Sequence, residues 1–167
     1  MTEAVNIHAS CVMLDKAAPS PFGFYDAGVL LLGDSGMGKS DLALRLIELG
    51  ALLVSDDRTD LFVANGKLHA SAPAALAGLI EARGLGILSL SFQASVEIVL
   101  AVQLVAADAV PRMPERESYQ PPPELALPDA ARPPLIRLNA FEASALVKLR
   151  WAVLAFRQGL FRNDAAP

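Results

Sequence analysis

The chain has 167 residues, of which 53% are hydrophobic, and its formal net charge is −4 at pH 7. This length and apolar content predict one folded domain with a substantial core over residues 1–162, followed by a short tail. The acidic balance and the lack of a basic stripe argue against nucleic acid or a membrane surface as the main partner.

The single cysteine, Cys11, excludes an internal disulfide and favours a reducing compartment. Its alternating apolar and polar surroundings are typical of a small core residue. Residues 1–6 lack the basic and apolar regions of a signal peptide. The most apolar stretch, 88–107, is interrupted by polar side chains and does not predict a membrane span. We therefore expect a cytoplasmic protein.

Residues 7–14 predict the first strand, with His8 near its start. A loop at 15–21 ends this strand, and residues 22–25 are candidates for pairing back on it. The apolar run 29–32 predicts a short buried strand. The beginning of the chain therefore indicates a hairpin laid against the unit that follows. Taken alone, a histidine in the position of His8 is more often structural than catalytic.

A phosphate-binding pattern, G-x-x-x-x-G-K-[ST], follows the second strand. Its residues here are Gly33-Asp34-Ser35-Gly36-Met37-Gly38-Lys39-Ser40. An amphipathic helix is predicted over 41–49 and stopped by Gly50, so that the helix N-terminus directs N–H groups at a bound anion. In this pattern Lys39 reaches the outer phosphates and the Ser40 hydroxyl holds magnesium. Because strand, loop and helix occur in the expected order, we predict a nucleotide phosphate site, and a glycine-rich turn without a ligand is the weaker interpretation.

Residues 51–55 predict the next strand, which ends in Asp56 and Asp57. An apolar strand that ends in acidic residues is typical of the P-loop protein element whose carboxylate holds Mg²⁺ or positions the nucleophile. Two adjacent carboxylates beside a phosphate site also suit divided roles, one nearer the metal and one as a base. The alternative is a solvated turn, because aspartate is common at strand ends.

A hairpin is predicted over residues 61–70, with its turn at Asn65-Gly66. Further on, the glycines of the segment 83–86 indicate a turn with positive φ. Glu81 and Arg83 are candidates for contact with a metal and with phosphate. From the residues alone, a surface acid–base pair is the stronger interpretation of these two side chains.

Residues 96–105 predict a long buried strand. The proline-rich segment 111–134 that follows predicts a long loop that is either functional or disordered. One of its arginines is a candidate for reaching a phosphate: Arg112, Arg116 or Arg132.

The last predicted element is a helix that Asn139 caps, with Glu142 as the capping-box partner. Its predicted apolar stripe consists of Phe141, Leu149, Ala152 and Phe156. Residues 163–167 are expected to be a disordered tail.

Four motifs occur along the chain in one order. They are Ile7-His8, the P-loop of residues 33–40, Asp56-Asp57-Arg58-Thr59-Asp60, and Glu81-Ala82-Arg83-Gly84-Leu85-Gly86-Ile87. Together they resemble the catalytic domain of the HPr kinase/phosphorylase family over about residues 5–105, in its short form without a separate N-terminal domain. The resemblance implies an α/β fold: a P-loop kinase domain similar to phosphoenolpyruvate carboxykinase, with a central mixed sheet and flanking helices. It also implies assembly as a hexamer.

The resemblance further implies a role for each matching position. Residues Gly33 to Ser40 bind ATP, with Lys39 on the phosphates and Ser40 as a magnesium ligand. Asp57 is the base for phosphorylation and the acid for the reverse step. His8 becomes a site residue, and Glu81 is a second carboxylate associated with Mg²⁺. The family's further arginine corresponds only loosely to Arg112 or Arg116, of which Arg112 is taken as the catalytic candidate.

The function implied is Mg²⁺- and ATP-dependent phosphorylation of a serine on an HPr-type phosphocarrier protein of the phosphotransferase system. Two stretches depart from the family pattern: 89–95 replaces a Phe-Gly-Ala-Gly-Ala stretch, and 138–144 replaces a segment with proline, basic residues and Gly-Arg-Asn. These departures predict weak or absent reverse phosphorolysis. The alternatives are a small-molecule P-loop kinase and a non-catalytic nucleotide-sensing partner of the carrier system.

Overall fold

The computed structural model describes residues 3–14 and 26–162. Within these ranges the chain forms ten strands and two α-helices. The strands are β1 (Val5–Leu14), β2 (Ala27–Leu32), β3 (Leu52–Ser55), β4 (Arg58–Ala64), β5 (Lys67–Ser71), β6 (Leu79–Ala82), β7 (Gly86–Ser89), β8 (Ser95–Leu104), β9 (Glu117–Ser118) and β10 (Pro134–Leu138). The helices are α1 (Lys39–Glu48) and α2 (Ala145–Gln158). The predictions for residues 15–25 and for the tail at 163–167 lie outside the described residues.

Eight of the strands form one mixed sheet, in the order β2-β1-β4-β5-β8-β10-β9 with β3 alongside β1. β2 and β8 also pair with each other, in parallel, and β8 pairs with β10 in parallel. The other pairings in this sheet are antiparallel. This confirms the predicted α/β class with a mixed sheet.

The long strands β1 and β8 each serve two sets of neighbours. The first half of β1 pairs with β4, and its second half pairs with β2 on one side and β3 on the other. In the same way β8 pairs first with β5 and then with β2 and β10. The sheet therefore folds over on itself, and the parallel strands β2, β8 and β10 end together at one edge.

Two apolar clusters fill the interior. One lies between the sheet and both helices, and it includes Leu42, Leu46, Leu149 and Val153. The other lies between layers of strand and includes Cys11, Leu61 and Leu68 without a residue of either helix. Both helices therefore cover the same side of the sheet, and strands cover the other.

Most of the predicted elements are confirmed. The strands expected at 7–14, 29–32, 51–55 and 96–105 are β1, β2, β3 and β8, and the hairpin at 61–70 is β4 and β5. The predicted P-loop helix is α1, and Cys11 is fully buried as expected. Among the described residues, no helix is long and apolar enough to span a membrane.

The proline-rich segment is ordered and contributes to the core, so the prediction of a plain loop was incomplete. Tyr119, Leu125 and Leu127 from this segment are buried in the strand-lined cluster. Their apolar burial holds in place a stretch whose prolines limit it to the short strand β9 and brief 3-10 turns.

The last helix begins later than predicted. Residues 134–138 form strand β10, and α2 starts at Ala145 with Ser144 as its N-cap. Asn139 does not cap the helix, because its Oδ1 accepts a hydrogen bond from the N–H of Phe141 in a local turn. The prediction that Phe141 lies in an apolar stripe was also wrong, since 65% of this residue is exposed, whereas Leu149 is buried.

Candidate functional site

The P-loop joins the end of β2 to the start of α1, at the edge where the parallel strands β2, β8 and β10 finish. In open α/β sheets, ligands bind outside the carboxyl ends of such strands. Gly38 has a left-handed φ of 89° as the residue that precedes the helix. Two features exclude a side chain at this position: the left-handed φ, and the close approach of Ala140, whose Cβ would lie 2.8 Å from a Cβ atom at Gly38.

Lys39 is buried, with 6% of its surface exposed. Its Nζ donates to the carbonyl oxygens of Gly33 at 2.6 Å and Asp34 at 3.2 Å, so the side chain folds back over the loop. Burial lowers the pKa of the Lys39 ammonium, while the nearby carboxylates, led by Asp57, act in the opposite direction. The cation is therefore held inside the curve of the loop, where an anion would meet it.

Asp56 is the centre of the hydrogen bonds below the P-loop. Its Oδ1 accepts from the hydroxyls of Ser10 at 2.7 Å and Ser40 at 2.8 Å. Its Oδ2 accepts from the backbone N–H of Glu81 at 3.1 Å. Only 6% of Asp56 is exposed, so each bond satisfies a carboxylate that water barely reaches. The structure thus joins the P-loop hydroxyl directly to the acid at the end of β3.

Asp57 faces outward beside His8. Its side chain is 67% exposed, and its Oδ1 lies 3.0 Å from Nε2 of His8. This contact arises because His8 on β1 is in register with Arg58 on β4. The candidate base therefore has an accessible oxygen and a neighbour that orients it.

Asp57 has a left-handed φ of 61°, which is uncommon for a residue other than glycine. Neighbouring contacts fix this turn: Ala9 donates its N–H to the carbonyl of Asp57, and the N–H of Asp57 approaches Oγ of Ser10 at 3.4 Å. Below it, Ser55 and Thr59 share a hydrogen bond of 2.6 Å, and Thr59 donates to the carbonyl of Ala9. The two aspartates diverge because of this turn, one into the protein and one toward solvent.

The remaining predicted site residues, Glu81, Arg83 and Arg112, have exposed side chains. The backbone of Glu81 reaches Asp56, but its side chain is exposed on the hairpin β6–β7. The turn of that hairpin has positive φ at Gly84 and Gly86, as predicted. Arg83 is exposed near this turn. Arg112 is exposed beyond β8, and in the described part of the chain no hydrogen bond or ion pair joins it to the other candidates.

The sequence predicted Asp57 as a site residue but did not predict Ser10. The available signal was a serine between Ala9 and Cys11, at the start of the apolar half of β1. Ser10 reaches Asp56 only because β1 lies beside β3, and this pairing could not be predicted from the sequence.

The oxygens around Ser40 and Asp56 are the donor types that Mg²⁺ prefers, and such ions commonly use one or two protein groups together with substrate phosphates. A hydroxyl, a buried carboxylate and a buried lysine at one loop thus fit a Mg²⁺–nucleotide complex. Within the described ranges, no group of three or more His, Cys, Asp or Glu side chains is placed to hold a metal.

Comparison with known proteins shows the family of this chain. A family model described as the HPr serine kinase C-terminal domain matches residues 20–120. The chain belongs to this family. The match covers the P-loop, both aspartates and the hairpin β6–β7, while His8 lies before its first residue.

Individual relatives support the same family. The HPr kinase/phosphorylase of Clostridium tetani is 41% identical over 81 residues, which is 48% of this chain and 27% of that protein. The enzyme of the same name from Leptothrix cholodnii is 39% identical over 102 residues, or 56% of this chain and 31% of that protein. The chain thus matches less than a third of the length of these relatives.

A solved structure covers more of the chain. The HPr(Ser) kinase/phosphatase from Coxiella burnetii superposes with a TM-score of 0.72 at 25% sequence identity. The superposition includes 93% of this chain and 98% of that one. The likeness therefore extends to the described region beyond residue 120, where the family model ends.

Proposed function

We propose that this chain transfers the γ-phosphoryl group of ATP to a serine hydroxyl of an HPr-type phosphocarrier protein, with Mg²⁺ as cofactor. The observation that carries the proposal is the divergent pair of aspartates: Asp56 is bonded to the P-loop hydroxyl of Ser40, and Asp57 is exposed beside His8. Family membership supplies the type of reaction. ATP and a carrier of this kind would place the enzyme in the cytoplasm.

Each residue has a defined task in this reaction. The loop amides and Lys39 hold the phosphates, with Lys39 moving from its carbonyl partners to the anion. When bound, Mg²⁺ would neutralise phosphate charge, and Ser40 and Asp56 are the residues at hand to hold it, with Glu81 as the further predicted carboxylate. Asp57 accepts the proton of the attacking serine hydroxyl as the new P–O bond forms and the bond to ADP breaks.

His8 is the positioning partner of Asp57 in this proposal. A bond from Nε2 to Oδ1 fixes one carboxylate oxygen and leaves the other for the serine proton. Arg112 remains a proposed phosphate contact, and it would have to approach from the exposed segment beyond β8.

The test is phosphorylation of purified phosphocarrier proteins with labelled ATP and Mg²⁺, followed by mapping of the modified residue. We expect label on one serine of one carrier and no transfer by Lys39→Ala, with Lys67→Ala as a surface lysine control that retains activity. Normal turnover by a folded Lys39→Ala variant would contradict the P-loop assignment. Label on a small molecule, or nucleotide binding without any transfer, would favour the two alternative functions.

We also propose that the chain forms a homo-oligomer, a hexamer by resemblance. Large apolar side chains at its surface support an association of this kind: Leu85, Ile87, Val147 and Trp151. Sedimentation equilibrium of the purified chain measures the state directly, and a monomer at micromolar concentration would contradict this proposal.

A further inference from the structure

One aromatic side chain at the rim of the P-loop has no role in the reaction described above. Phe141 follows β10 by three residues, and β10 ends at the same edge as the P-loop strand because β2, β8 and β10 are parallel. The ring approaches the loop closely: a Cβ atom at Gly38 would lie 3.1 Å from Cζ of Phe141. Gly38 directly precedes Lys39, so the ring borders the phosphate site itself.

The segment that carries this ring is fixed in place. The side-chain amide of Asn139 makes two hydrogen bonds that fix this segment. Its Oδ1 accepts the N–H of Phe141 at 3.0 Å, and its Nδ2 donates to the carbonyl of Val105 at 2.9 Å. Arg45 on α1 donates to the carbonyl of Ala140, which ties the same segment to the P-loop helix. The backbone that carries the ring is therefore fixed relative to the loop.

In spite of these restraints, the ring is not part of the core. Phe141 is 65% exposed, whereas its neighbour Ala140 is fully buried. An exposed aromatic ring on a fixed stretch of backbone presents a stacking surface, and every nucleobase has a π-face that can pack on it.

We infer that Phe141 is the stacking platform for the nucleobase of the bound nucleotide. This inference rests on the proposed function, because it takes the P-loop to hold the triphosphate. The phosphates occupy the loop and the N-terminus of α1, so ribose and base leave the loop at its rim, where Phe141 lies beside Gly38.

Binding of ATP reports contacts to both the base and the phosphates, whereas binding of inorganic tripolyphosphate reports contacts to the phosphates alone. Comparing the two affinities therefore isolates the contribution of the base. We expect Phe141→Ala to weaken Mg²⁺-ATP binding by about tenfold, the range of one base stacked on one aromatic ring, and to leave Mg²⁺-tripolyphosphate binding unchanged. Phe141→Trp should restore ATP affinity. Phe161→Ala is the matched control, because it removes another partly exposed aromatic ring, at the far end of α2.

The outcomes distinguish this inference from the proposed function. Unchanged ATP binding by Phe141→Ala, or an equal loss for ATP and tripolyphosphate, would overturn the stacking role. If ATP binding is unchanged but the KM for the carrier rises, Phe141 contacts the protein substrate instead, which also overturns it. If ATP affinity depends on Phe141 and no carrier is phosphorylated, the stacking inference stands and the proposed kinase function fails.

Discussion

The hydroxyl of Ser10 donates to Oδ1 of Asp56 at 2.7 Å, and that same oxygen also accepts from Ser40. Ser10 is fully buried on β1, so its bond to Asp56 does not depend on a ligand. Ser40, in contrast, lies on the P-loop and helps to hold Mg²⁺ in the proposed mechanism. Ser10 therefore keeps the Asp56 carboxylate oriented whatever Ser40 binds, and it is a positioning residue.

Ser10→Ala is expected to lower the free energy of unfolding by about 1–2 kcal/mol, because a buried carboxylate loses one of its donors. It should also weaken ATP binding in the presence of Mg²⁺ more than in its absence. Urea denaturation measures the first effect, and ATP titrations with Mg²⁺ or EDTA measure the second.

Ser55→Ala is the matched control for this prediction. Ser55 is also a fully buried serine, but its hydroxyl bonds to Thr59 and not to Asp56. It should lose stability with no effect specific to Mg²⁺. If both variants show the same Mg²⁺ dependence as the wild type, Ser10 is only a structural residue.

Substitution of Asp57 and substitution of Asp56 should have different kinetic effects. Asp57→Asn is expected to retain the fold, because asparagine tolerates the left-handed φ of this position, and to bind ATP within a few-fold of the wild type. Loss of the base should reduce turnover by about 10²–10⁴-fold. Steady-state kinetics with saturating ATP and carrier measure this loss.

Asp56→Asn should act differently, through stability and through the concentration of Mg²⁺ needed for half-maximal rate. Its buried carboxylate accepts three hydrogen bonds, and an amide nitrogen in place of one oxygen would face donors. Turnover that depends on Asp56 and not on Asp57, at saturating Mg²⁺, would show that the two roles are reversed.

The P-loop, the strands around it and the strand that ends in Asp56 and Asp57 could be predicted from the sequence, because glycine spacing and apolar runs are local signals. The sequence did not predict the start of α2. Asn139 and Glu142 have the spacing of a capping box, but the amide of Asn139 is used between Val105 and Phe141. That competition depends on β8 and β10 being neighbours, a long-range contact that no local pattern records. For the same reason Ser10 was not predicted as a site residue, and Phe141 was wrongly assigned to the apolar stripe of the helix.

Cys11 offers a test of the core at alkaline pH. Burial raises the pKa of the Cys11 thiol well above its ordinary value. The folded state therefore keeps the thiol protonated, while the unfolded chain loses the proton near its usual pKa of about 8.5. The contribution of Cys11 to the stability is fully present below that pH and is lost progressively as pH rises above it.

We accordingly expect slow alkylation of Cys11 by iodoacetamide at pH 8 in the native protein and fast alkylation in urea, followed by mass spectrometry. Cys11→Ala should show a weaker decline in stability between pH 8 and pH 10 than the wild type. Native alkylation as fast as that of the unfolded chain would mean that the strand β1 opens locally.

The last prediction is that phosphorolysis of the phosphorylated carrier is weak or absent. Both directions use the P-loop and Asp57, but the reverse reaction must also hold inorganic phosphate in line with the phosphoserine, which calls for additional N–H groups and cations. The stretch 138–144, which borders the P-loop, contains no cation. The two cations that flank it are already engaged, since Arg137 pairs with Glu117 and Lys148 pairs with Glu142.

This arrangement leaves the phosphate without a nearby free cation from this stretch, so the forward reaction should dominate. Purified phosphoseryl carrier, millimolar phosphate and Mg²⁺ are supplied without ATP, and release of pyrophosphate is followed with time. Glu117→Gln and Glu142→Gln release Arg137 and Lys148, and if cation supply is what limits the reverse step, at least one of these variants should raise the rate. A wild-type reverse rate comparable with the forward kinase rate would refute the prediction, because it would show that phosphate is held without a free cation from residues 138–144.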